Sequence, residues 1–97
     1  MNKMRAIHPG EVLREEFLEP LGLSANALAV ALRVPAPRIN DVARERRGIT
    51  PDTALRLARY FKTTPQFWMN LQASYDLKIA LRDSKGRIEK EVLPHAA

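Results

Sequence analysis

The stretch from Ser24 to Arg44, SANALAVALRVPAPRINDVAR, constrains the fold of this chain more than any other segment. It reads as two short helices around a tight break at Arg33-Val34-Pro35. Leu28 and Leu32 stand one helical turn apart, and Ala29 supplies a small residue where a second helix can approach closely. Val34 fills the corner, while Ile39 and Val42 face back from the second helix. Helices patterned this way pack against each other only at a steep angle. That is the internal logic of a helix-turn-helix unit, whose second helix is free to lie in a DNA major groove.

The flanking sequence supplies more helices and little else. Pro9 and Glu11, Glu15 and Glu16 suit the start of a first helix, since proline lacks only an unneeded donor there and acids favour the positive end of the helix dipole. Val12, Leu13 and Phe17 form its apolar stripe, Glu11, Glu15 and Glu19 its acidic edge, and Pro20 with Gly22 is expected to stop it. Ser24 is a helix N-cap. The third helix begins around Pro35–Pro37 and runs to about Arg44. In Glu45-Arg46-Arg47-Gly48, the glycine is placed to end a basic turn. Thr50-Pro51-Asp52 and Thr64-Pro65 are two further start signals. The fourth helix is expected to reach about Phe61 and to bury Ala54, Leu55, Leu57, Ala58 and Phe61. With short connections and no alternating run of β-branched residues, the chain reads as all-α.

The fifth helix carries two apolar stripes. At about 100° per residue, Trp68, Leu71, Tyr75 and Ile79 fall within about 80° of one another. They should close the core, with Phe67 at the edge. Ala73, Leu77, Ala80 and Leu81 form a second stripe on roughly the opposite side. A dimer interface or the folded-back tail would cover it. Residues 1–82 are expected to form the domain. The tail, 83–97, is left open between a frayed extension, a short strand and a turn of helix.

Composition narrows the function. The 97 residues contain no cysteine, which excludes disulfides, thiol catalysis and thiolate metal sites. No apolar run approaches the roughly 20 residues of a membrane span. Met1–Gly10 lacks the apolar core of a signal peptide, so a cytoplasmic chain is expected. The net charge of +5 is concentrated. Residues 33–62 carry eight Lys/Arg against three acids, whereas the flanks nearly cancel. Localised positive charge is the footprint expected of a polyanion partner, although a basic solvated face would have the same composition.

The outward positions of the third helix are Ala36, Pro37, Asn40, Asp41 and Arg44, with Arg38 near the edge. Arginine can bond guanine twice and asparagine adenine twice, and either can hold phosphate. Arg33 at the turn, and Arg46 and Arg47 in the following loop, are placed better for phosphates than for bases. His8 and His95 lie near opposite ends of the chain, with no spaced carboxylate around either, so no metal site is expected. No glycine-rich phosphate loop or nucleophile–base pair is present, which leaves no enzyme site, cofactor or small-molecule ligand in view. Trp68 and Tyr75 read as core rather than as a stacking platform.

HPGEVLREEFLEPLGLS, then LA-AL-V, RIN, RGITPDTALRLARYFKTTPQFWMNLQ and YDL, together resemble the HigA/VapI antitoxin branch of the Xre-type helix-turn-helix regulators. The resemblance covers residues 7–82. It implies a five-helix, lambda-repressor-like domain that dimerises and represses its own operon by binding double-stranded operator DNA. It further implies neutralisation of a HigB-type toxin, a small basic ribonuclease acting on translated messages. On resemblance, base-facing roles fall to Arg38 and Asn40, and helix geometry adds Arg44. Pro35-Ala36-Pro37 departs from the polar or basic residues common at this point, leaving mostly apolar base contacts at positions 36 and 37. Glu11, Glu15 and Glu19 are the candidates for meeting a basic toxin. A solitary regulator without a toxin, or a toxin-binding module with weakened DNA reading, are the alternatives.

Overall fold

The computed structural model describes residues 5–96, and a side chain caps the start of four of its five helices. The first, α1, joins an α-helical turn at Pro9–Val12, a π-helical turn at Leu13–Leu18 and a closing turn at Glu19–Leu21. The imidazole of His8 caps it, Nδ1 accepting the Gly10 N–H at 2.9 Å. Helix α2 spans Ala25–Leu32, capped by the Ser24 hydroxyl, which accepts from Ala27 N–H at 3.0 Å. Helix α3, Ala36–Ala43, starts from extended Pro35 without a side-chain cap. Thr50 caps α4, Pro51–Phe61, and Thr64 caps α5, Pro65–Glu91. The described residues are all-α, with five helices, as the start signals require.

Four sequence expectations need correction or completion. Pro20 does not stop α1. The preceding turn widens, with Glu19 N–H reaching back to the Arg14 carbonyl, and this register carries the proline within the helix. The stop falls at Gly22, which takes the left-handed conformation and lets Leu23 N–H bond the Leu18 carbonyl. Gly48 follows the basic turn at 44–47, whose left-handed residue is Glu45, at φ 63°. Gly48 also makes room for the Gln72 side chain, which a Cβ would meet at 2.9 Å. Leu55 is exposed (59%) rather than buried. Finally, α5 runs unbroken through position 82 to Glu91, so the segment after it is short and irregular. Residues 1–4 and 97, the outer ends of the expected domain and tail, lie outside the described residues.

The core closes around Trp68, which is fully buried with Leu13, Leu28, Ile39, Val42, Ala54 and Leu57. The indole N–H is satisfied by the Thr63 hydroxyl at 2.8 Å. Phe17 of α1 stacks obliquely on Phe61 and on Trp68, with centroids 4.8 and 5.0 Å apart. This binds the first helix to the last two. Helices α2 and α3 pack through Leu28, Ala29 and Leu32 against Ile39 and Val42, with Val34 partly buried at the corner. The corner itself is closed by Arg33 in the left-handed conformation and by Val34 N–H on the Ala29 carbonyl at 3.1 Å.

Gly10 lies where α1 crosses α3, and a Cβ there would stand 1.8 Å from the Val42 carbonyl oxygen. Gly10→Ala must therefore separate two backbones. Overpacking of this kind costs about 1–3 kcal/mol, and a backbone neighbour puts this site at the upper end, measurable by urea denaturation. His8 gives a second expectation. Burial lowers its pKa from the ordinary 6.5, and its ring meets Tyr75 edge-on at 4.9 Å. Because the unfolded chain takes up the proton more readily, the His8 contribution to stability is complete above the ordinary value. It is lost as pH falls through the lower folded-state value. The urea midpoint should fall on acidification from neutrality, and His8→Asn, which keeps a capping acceptor, should flatten that dependence.

Candidate nucleic-acid interface

Helix α3 buries Ile39 and Val42, so its opposite face is turned outward. Pro37 and Arg44, seven residues apart and about 20° from each other in projection, form the crest of that face. Both are exposed. Asn40 and Asp41 flank them, half-buried, and Ala36 sits at the rim of the core. Arg38 lies to one side, towards α4. The helix therefore presents the expected residues, but three of them, Arg38, Asn40 and Asp41, are already held by neighbours.

Arg38 Nη1 donates to Asp52 Oδ2 at 2.6 Å. The same oxygen accepts from Arg56 Nε at 2.9 Å, and Arg56 Nη1 caps the Leu32 carbonyl at the end of α2, also at 2.9 Å. Asp52 thus joins α2, α3 and α4 through one carboxylate. Arg56, then Arg38, hold its pKa below the ordinary carboxylate value. On the other side, Asn40 Nδ2 donates to Asn26 Oδ1 at 2.6 Å and to the Ala36 carbonyl at 3.0 Å. Asp41 pairs with Arg47 at 3.3 Å, and its carbonyl accepts Arg46 N–H at 2.8 Å. This folds the basic loop back against the end of α3. Arg33, Arg44 and Arg46 are exposed around the same surface.

The end of α3 is anchored from behind. Arg14 of α1 donates through Nη1 to the Ala43 carbonyl at 2.5 Å and through Nη2 to Glu45 at 3.2 Å. Asn26, Arg56 and Arg14 carry no site signal in the sequence pattern, and Asp52 stands there only as part of a helix-start signal. The spacing of Asp52 and Arg56 by four residues signals a helix ion pair. For the other two, the partner comes from a helix crossing, which a linear pattern does not encode.

The proposed acidic edge is uneven. Both carboxylate oxygens of Glu11 are taken by Arg5, at 2.7 and 2.6 Å, and this pairing lowers its pKa from the ordinary value. Glu15 and Glu19 are exposed, with Glu15 3.5 Å from Arg14. On α5, Trp68 is buried and Leu71, Tyr75 and Ile79 are half-buried, whereas Ala73, Leu77, Ala80 and Leu81 all face outward. Leu77 is 61% exposed and Leu81 48%. Among the described residues no group of His, Asp or Glu could hold a metal ion, and no helix is long and apolar enough to cross a membrane.

A bent pair of helices with an outward basic second member, inside a five-helix shell, defines a helix-turn-helix protein. Residues 14–68 match the family described as Helix-turn-helix. The chain is 62% identical over 84 residues to virulence-associated protein I of Dichelobacter nodosus, covering 87% of this chain and 78% of that one. It is 35% identical over 89 residues to antitoxin HigA-1 of Vibrio cholerae, covering 92% and 80%. Among solved structures it matches the Pseudomonas aeruginosa antitoxin HigA with the higBA promoter, at TM-score 0.92 and 53% identity, over 95% of this chain and all of that one. The chain belongs to the HigA/VapI antitoxins of the Xre-type helix-turn-helix regulators, a DNA-binding class rather than an enzyme class.

Proposed function

We propose that this antitoxin binds an inverted repeat in its own promoter as a homodimer, represses transcription there, and neutralises a HigB-type ribonuclease by direct contact. The observation that carries the DNA reading is the outward face of α3, where Pro37, Arg38, Asn40, Asp41 and Arg44 stand together beside Arg33, Arg46 and Arg47. Ala36 completes the apolar start of the helix. Two such helices, one per subunit, would occupy successive major grooves about 34 Å apart. The exposed stripe Ala73, Leu77, Ala80 and Leu81 supplies the dimer contact in this reading. Glu15 and Glu19 are the acids available to a basic toxin, and Glu11 becomes available once it leaves Arg5.

Double substitution of Arg38 and Arg44 by alanine removes the long cation of α3 and the one that caps its C-terminal end. Operator affinity should fall by at least about tenfold, since a base-contacting arginine contributes about 1–3 kcal/mol. Toxin binding should be retained, because the acidic edge lies on α1. Wild-type affinity should also decline steeply with salt as condensed counterions are released. Unchanged operator binding by the double variant would remove α3 from the interface.

Leu77→Glu or Leu81→Glu places a charge on the second stripe of α5. A folded monomer by sedimentation, with much weaker operator binding, is the expected result. An unfolded variant would instead assign the stripe to the core.

A further inference from the structure

Asn40 is the residue of α3 whose amide orientation the structure determines most fully. One of its N–H groups goes to the Ala36 carbonyl at 3.0 Å, and a carbonyl can only accept. The nitrogen end of the amide must therefore point inward along the helix. The second N–H goes to Asn26 Oδ1 at 2.6 Å. Both donors of the Asn40 amide are thus consumed within the protein. Among the described residues nothing donates to its Oδ1, so an acceptor is what remains for a ligand.

We infer that Asn26, on the first turn of α2, is a specificity-determining positioning residue that makes Asn40 an acceptor-only reader of the operator. The inference rests on the DNA reading proposed above. An unrestrained asparagine amide offers a donor and an acceptor together and suits the N6/N7 edge of adenine. With its donors tied back, Asn40 selects bases that present a donor in the major groove. These are cytosine, through N4, and adenine, through N6. Guanine and thymine present only acceptors there and leave the Asn40 oxygen facing another oxygen. Asn26 thereby sets which bases are refused without touching any of them.

The test uses the full chain and a set of promoter duplexes in which each base pair of one half-site is replaced in turn, at one salt concentration. Wild type should show one position favouring adenine or cytosine over guanine or thymine by roughly tenfold, within the range for a base-edge contact. Asn40→Ala should abolish that preference. Asn26→Ala releases a donor and should reduce the penalty against guanine and thymine at least about threefold at that position alone. Asn26→Asp keeps an acceptor for Asn40; it should retain the preference while weakening all duplexes alike through its charge. A thermal melt of each variant establishes that it is folded. If Asn40→Ala removes the preference but Asn26→Ala leaves it intact, the inference is overturned while the DNA reading stands. A uniform loss across all duplexes for Asn26→Ala would likewise overturn it, as that is the mark of a phosphate contact. If no variant of α3 alters any preference, the DNA reading itself fails.

Discussion

Helix α3 is too short to hold itself together, and the rest of the structure is arranged around that fact. At eight residues it falls below the roughly 12–15 that an isolated helix needs for even marginal stability in water. It also starts without a side-chain cap. Its position comes from burying Ile39 and Val42 against Leu28 and Ala29, all of them fully or almost fully inaccessible. Helix α1 completes the restraint twice. Gly10 brings its backbone onto the Val42 carbonyl, and Arg14 takes the Ala43 carbonyl at the far end. The acidic-edged first helix is therefore a structural support for α3, whatever its outer face also meets.

The charges around α3 follow a second rule. The eight cations of residues 33–62 do not stand free as a block. Arg38 and Arg56 share Asp52, and Arg47 pairs with Asp41, while Arg33, Arg44 and Arg46 face outward. Exposed ion pairs contribute little to stability, about 0–1 kcal/mol each, so these acids act chiefly by direction. In the proposed complex they would place guanidinium groups before the DNA arrives and exchange for phosphate at small cost. A basic surface that is pre-oriented in this way discriminates more by geometry than by charge alone.

Much of this was legible in the sequence because its signals are local. Ser24, Thr50 and Thr64 cap helices as hydroxyl residues before apolar runs do, and the Leu28–Val42 pattern contains the helix pair. Residue type alone points Leu55 inward, yet it is exposed. On the helical projection it lies about 60° beyond Ala58, outside the arc that Ala54, Leu57 and Ala58 bury. The extension of α5 had a local signal too, in the i,i+4 pairs Lys85–Glu89 and Arg87–Glu91, which support a solvated helix across Gly86. What could not be read was everything set by crossings. The need for Gly10, the room made by Gly48 and the contact of Asn26 with Asn40 each depend on a partner distant in sequence.

The central claim is that α3 enters a major groove and that two copies do so one helical turn apart. Hydroxyl-radical footprinting of the chain on its own promoter, joined with methylation interference at guanine N7, measures this directly. Two symmetric sets of major-groove contacts, centred about 34 Å apart, are the result this account requires. Protection confined to the minor groove, or methylation of major-groove guanines without effect on binding, would contradict it.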